Sequence, residues 1–194
     1  MEITFRDAVT VMHGMAFGGL LLLTFSGAGI ALYAICAPVG SWTPTAREGR
    51  LLGWYFSAMA ALGWITVFAG AYLVYPWYRA RPPAGTPNLP GDLSGYPQRL
   101  LMSNPATTGW HDIGMEWKEH LAWFAPICLT AVAYIFLRYR THLRRYKEMR
   151  HAVIGLVALA FFAAATAGFF GAMLNKNAPV RGGANIILMR SSHD

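Results

Sequence analysis

HAVIGLVALAFFAAATAGFFGAMLN, residues 151–175, contains no Asp, Glu, Lys or Arg. An α-helix rises about 1.5 Å per residue and the bilayer core is about 30 Å thick, so roughly 20 apolar residues cross it. This stretch is long enough. Three others resemble it. Residues 8–46 are charge-free, with helix expected to stop before Pro38. Residues 51–78 are charge-free as well. Residues 121–137 are too, and their pattern extends upstream through Trp117. The expectation is an all-α integral membrane four-helix bundle. It forms a single domain over 1–194, with spans near 8–37, 51–77, 113–139 and 151–174.

Composition agrees. Of the 194 residues, 55% are hydrophobic and 13% charged. Soluble domains average about 25% charged. So few charges cannot clothe a soluble surface of this size, which argues against a soluble enzyme.

The net charge of +7 is unevenly placed. Four spans put both termini on one side. The other side carries the short loops 38–50 and 138–150. These hold Arg47, Arg50, Arg138, Arg140, Arg144, Arg145, Lys147 and Arg150, against only Glu48 and Glu148. The remaining seven acids lie on the terminal side. By the positive-inside rule the 138–150 hairpin faces the cytoplasm, and both termini lie on the outer, periplasmic side of a bacterial-type plasma membrane. The run RYRTHLRRYKEMR then reads as a topology signal and a contact for anionic lipid, not a nucleic-acid patch. The start MEITFRD lacks a multiply charged segment, and no cleaved signal peptide is expected. Cys36 and Cys128 sit at different depths, so no disulfide is expected.

Between the second and third spans, 79–112 reads as an outer loop rich in Pro and Gly. Tyr75, Trp77 and Tyr78 before it look like an interfacial anchor. Six prolines between 76 and 97 forbid one regular helix. Arg99–Met102 is placed at the interface, Ser103-Asn104-Pro105 opens a short surface helix, and Asp112 caps the third span. The tail 176–194 is outer. Its apolar Ile186–Met189 hints at a partner subunit on that face. Small residues line helix faces: Gly14 and Gly18 in the first span, and the rows Ala160, Ala164, Gly168, Ala172 and Ala163, Ala167, Gly171 in the fourth. Such faces bring helix backbones together and leave room for a flat cofactor.

The chemistry is sought in the histidines, because an ionisable group inside a membrane is a functional hypothesis by default. His13 and His120 both lie just inside the outer surface, on different spans. Two imidazoles at one depth suit the two axial positions of a haem iron. Gly14 and Gly18 would leave space for the porphyrin. Phe17, Trp123 and Phe124 would pack on it, and Arg79, Arg81 and Arg99 would meet its propionates. His111 is a second candidate, as replacement ligand or as a polar group of a quinone pocket, against a reading as a solvated loop residue. Met173 is a weaker alternative ligand. His142 and His151 would serve a second haem only in a wide hairpin. No HExxH, GxSxG, P-loop or GxGxxG motif occurs. Pro126 is expected to break the helical ladder of the third span and free the carbonyl of Ala122.

With HGMAFGG (13–19) and EWKEHLAWF (116–124) at span ends, the chain resembles four-helix membrane b-type cytochrome subunits of respiratory and electron-transfer complexes. That resemblance implies one b-type haem near the outer face, bound by His13 and His120. It also implies electron relay between the quinone pool and an outer-side partner, with a quinone site in reach. The alternative is a non-catalytic anchor or assembly subunit holding other subunits by the 79–116 segment and the tail. A small transporter is a third reading, but no inverted repeat is visible.

Overall fold

The computed structural model describes residues 2–36 and 45–187. The expected end of the first span at 37, and Leu188 and Met189 of the tail, lie outside the described residues. Four helices are long and apolar enough to cross a membrane, as a multi-pass membrane protein requires: α1 (Phe5–Cys36), α2 (Ala46–Tyr78), α4 (Pro105–Tyr139) and α5 (Lys147–Asn177). A short helix α3 (Pro97–Met102) sits in the connection before α4.

Every span starts earlier than its charge-free run, and the caps explain most of the difference. Thr4 caps α1. The Asp7 amide donates to Thr4 Oγ1 at 3.2 Å, and the Thr4 amide donates to Asp7 Oδ2 at 3.1 Å. Thr45 caps α2 in the same way, its amide donating to Glu48 Oε2 at 2.6 Å. Acidic residues in a first turn complete a capping box and suit the helix dipole, so a charge there belongs to the helix. The start of the third span is corrected most. Asn104 caps α4, its Oδ1 accepting from the Ala106 amide at 2.9 Å, and Pro105 takes the first helical position. The expected surface helix is therefore the first turn of the span. Asp112 lies inside the helix and caps nothing.

The ladder of α4 is interrupted at Ala122 and Trp123, four and three residues before Pro126, as a proline without an N–H requires. Three further irregularities share one end of the bundle. Met12–Gly19 in α1, Gly70–Val74 in α2 and Trp110–Met115 in α4 are π-helical. Each widens its helix by about a residue per turn, a feature frequent at functional sites.

The all-helical bundle carries one small addition. Strand β1 (Glu2–Thr4) pairs antiparallel with β2 (Asn185–Ile187). Gly182 and Gly183 turn the chain back at φ +117° and +84°, a region costly for other residues. The Phe5 amide then donates to the Ala184 carbonyl at 2.9 Å. This ribbon joins residues 2–4 to residues 185–187 at one end of the bundle, called here the terminal end.

The helices form a ring in which α1 packs on α2, α2 on α4, α4 on α5, and α5 back on α1. Spans α1 and α4 face each other diagonally. Two apolar cores result. The larger holds Leu21, Phe25, Phe56, Met59, Leu129, Val132, Phe136 and Val157. Phe56 stacks on Phe136 with centroids 4.4 Å apart. Trp64 Nε1 donates to Thr130 Oγ1 at 3.0 Å, and the Tyr55 hydroxyl donates to the Thr24 carbonyl, tying neighbouring helices. The smaller core, at the terminal end, holds Val74, Tyr78, Leu101, Met115, Leu174, Ala178 and Val180.

Candidate functional site

The two cores leave a layer between them. On α1 it runs from about residue 10 to 20, on α2 from 61 to 73, on α4 from 116 to 127 and on α5 from 165 to 173. Most of the polar chemistry of the bundle lies in this layer or just beside it.

His13 occupies the π-helical turn of α1, eight residues or about 12 Å from its start. Its imidazole lies in a notch on α2. A Cβ on Gly70 would come within 2.8 Å of His13 Cε1 and 3.1 Å of Nε2, so only glycine accepts the ring there. The Thr66 carbonyl, one turn away, faces the imidazole. His13 Nδ1 is buried and has no hydrogen-bond partner.

Lys118 and Glu119, in the stretch EWKEHLAWF read at a span end, lie well inside α4. The Lys118 ammonium lies over Gly171 of α5, where a Cβ would approach Nζ to 3.3 Å. Its charge reaches His13 across the diagonal of the bundle. Glu119 points toward α2, where its side chain hydrogen-bonds that of Tyr75 and its charge reaches Tyr78. Its Oε1 is buried without a partner.

Tyr78 was expected at the interface as an anchor, but it is only 4% exposed. Its hydroxyl lies 2.9 Å from His111 Nδ1. Gln98 of α3 places its amide nitrogen 3.1 Å from His111 Nε2. His111 is thus a buried residue of the α4 π-helical turn, not a solvated loop residue. An amide N–H donates to Nε2, so Nδ1 carries the proton and donates to the Tyr78 oxygen. The Tyr78 proton is left to point onward, and the charge of Glu119 reaches this hydroxyl. Gln98, His111 and Tyr78 therefore form a hydrogen-bonded chain from α3 through α4 to α2, beside the layer.

The pair expected to ligate iron is not brought together. His120 is exposed, and its Nδ1 bonds the Glu116 carbonyl of its own helix at 2.7 Å. Lys118, two positions away and so about 200° around the helix, is the residue that faces inward. His13 and His120 are matched in depth but not in direction. A haem held between them does not fit this arrangement.

The expected porphyrin neighbours are scattered too. Trp123 packs edge-on against Phe68 and Trp64 of α2. Phe124 is 48% exposed, and Gly14 has no neighbour where its Cβ would be. Gly18 is close only to the His13 carbonyl, and Phe17 is half-buried. Met173 is half-buried, its carbonyl accepting from Asn177 Nδ2 at 2.7 Å. His142 and His151 are exposed at the opposite end and do not face a common interior site. Arg79, Arg81 and Arg99, by contrast, do meet, in one surface pocket at the terminal end.

Sequence reasoning missed Lys118, Glu119, Tyr78, Gln98, Thr66 and Gly70. The signal for the first two was available. Starting the helix at Pro105 places EWKEH more than two turns inside it. No protein-family model, catalogued protein or solved structure matches the chain.

Proposed function

We propose that the chain is the membrane subunit of an electron-transfer complex, oxidising a quinol in the polar layer and passing the electrons to a partner at the terminal end. The observation that carries this reading is the pair of buried acceptors, His13 Nδ1 and Glu119 Oε1, left without donors between two apolar cores. A buried polar atom without a partner costs about 1–3 kcal/mol. A ligand bringing two hydroxyl donors into an apolar site relieves both, and a quinol is such a ligand. With the His13 Nε2 proton directed at the Thr66 carbonyl, Nδ1 presents a lone pair and acts as a base.

The balance is simple. Two O–H bonds break, giving the quinone, two protons and two electrons. The protons go to His13 Nδ1 and to Glu119. The electrons go one at a time to an acceptor, a metal centre or flavin, carried by the partner subunit.

The charge asymmetry supports an orientation with the terminal end outside a bacterial-type plasma membrane and the 138–150 hairpin against anionic lipid in the cytoplasm. A C-terminal reporter active only in the cytoplasm is expected to stay silent. A signal equal to that of a cytoplasmic control would reverse the assignment of sides.

Haem enters this reading only where His120 directs its free Nε2, on the outward face of α4, with the second ligand from another subunit. The chain purified alone in detergent with haem supplied is expected to show no dithionite-reduced bis-histidine band. A band abolished by both His13→Ala and His120→Ala would restore the haem within the bundle. The test of the quinol reading is quinol oxidation by the tagged complex from native membranes, compared with the Glu119 variant considered below. Unchanged turnover in that variant would leave the chain as a non-catalytic anchor.

A further inference from the structure

The pocket at the terminal end has a volume of about 490 Å³ and is lined by Arg79, Arg81 and Arg99 together with Gln98, Asn88 and Met102 among others. No carboxylate lines it among the described residues. Glu116 and Glu119 act on Arg79 from α4. Arg79 is held in place, with Nη1 donating to the Tyr75 hydroxyl at 2.5 Å and the guanidinium over the Tyr75 ring.

The rest of the pocket is stiff. Pro82 and Pro83 fix the backbone of one wall. The Thr86 hydroxyl donates to the Pro83 carbonyl at 2.8 Å, and Gly85 turns the wall at φ +85°. Leu93, only 1% exposed, and buried Pro97 pin the loop to the bundle. Three guanidiniums on a preformed frame make a site for a multiply accepting anion, because each can give paired N–H bonds to phosphate oxygens.

Position selects the ligand further. Arg79 directly follows Tyr78, the last residue of α2, so the pocket opens where this apolar span ends. Met102, exposed, forms part of its lining, and exposed Ile113 and Trp117 occupy the outward surface of α4. We propose that this pocket binds a phosphate group, and that the phosphate belongs to an anionic phospholipid headgroup seated at the terminal-side surface. The proposal does not rest on the quinol reading: it is carried by the three arginines, and Gln98 is the one lining residue that the two share.

The test uses the full-length chain extracted from bilayers of mixed phosphatidylglycerol and phosphatidylcholine. Native mass spectrometry counts the phosphatidylglycerol molecules that stay bound. The wild type should retain one more than the double variant Arg81→Gln/Arg99→Gln, whose affinity should fall roughly tenfold or more. Arg181→Gln, an exposed cation on the same side outside the pocket, should match the wild type. A circular-dichroism melt of each variant confirms that the bundle is folded, and a double variant that does not fold is replaced by Arg81→Gln alone. Inorganic phosphate at millimolar concentration separates the sources. If it binds lipid-free protein and displaces phosphatidylglycerol, phosphate chemistry stands but the ligand is a free anion, and the lipid assignment falls. Equal phosphatidylglycerol retention by wild type and folded variant, with no phosphate binding, overturns the site.

Discussion

Replacing Glu119 by glutamine should lower quinol oxidation by about 10²- to 10⁴-fold, the usual contribution of a positioned base. Glutamine keeps the shape of the side chain and an oxygen that accepts a hydrogen bond. It loses the ability to take a proton. Binding should therefore change little, and the effect should fall on kcat, with KM within a few-fold. Burial favours the variant if anything, because an amide costs less to keep between two apolar cores than a carboxylate. A thermal melt should show no loss of stability, which separates the chemical effect from misfolding. His13→Gln tests the other acceptor and should also lower kcat. His120→Gln is the contrast. Its side chain is exposed on the opposite face from Lys118, so turnover by a complex without an interfacial haem should change less than twofold. Wild-type turnover in Glu119→Gln would remove the proton acceptor from the proposal and the quinol site with it.

The four spans were legible because membrane length and absence of charge are one-dimensional properties. Their ends were not. Asp7 and Glu48 look like residues outside a helix, and only the reciprocal bonds with Thr4 and Thr45 show that they belong to a first turn. The same habit of stopping at a charge put the start of the third span at 113 instead of Pro105, which made Lys118 and Glu119 look interfacial. The histidine pair failed for a different reason. Depth along a helix follows from counting residues, but direction around it depends on the register of every turn before it. Three π-helical turns shift that register at the terminal end, and no residue type specifies them. His111 was recognised as a candidate, yet its partners come from α2 and from α3, which the 79–104 segment folds back onto the bundle. A contact of that kind needs the loop's path. The arginines fared better, since Arg79, Arg81 and Arg99 were grouped by their shared place after α2 and the fold does gather them.

Gly63→Leu should destabilise the bundle by roughly 3 kcal/mol or more, at the upper end of overpacking effects. Gly63 lies where α2 meets α4, the most extensive helix contact in the molecule. A Cβ at this position would stand 3.3 Å from Pro126 Cβ and 3.4 Å from Pro126 Cα. The neighbour is a ring fused to backbone and cannot rotate away. Alanine already demands a shift of a few tenths of an ångström and should cost about 1 kcal/mol. Leucine adds three more carbons and must push the helices apart. That separation weakens the Phe56–Phe136 stack at 4.4 Å and the Trp64–Thr130 bond at 3.0 Å. Lipid offers no compensation, because apolar side chains gain little from leaving one another for acyl chains, and close packing holds membrane helices together. Gly29→Leu in α1 is the matched control. Nothing lies within 4 Å of its Cβ position and it is exposed. Leucine there should be neutral, or slightly stabilising through its higher helix propensity. Both variants are unfolded by titrating sodium dodecyl sulfate into dodecyl maltoside micelles and followed by circular dichroism. Gly63→Leu should unfold at a clearly lower fraction of the ionic detergent. Coincident curves for the two variants would mean that the α2–α4 contact does not close on Gly63.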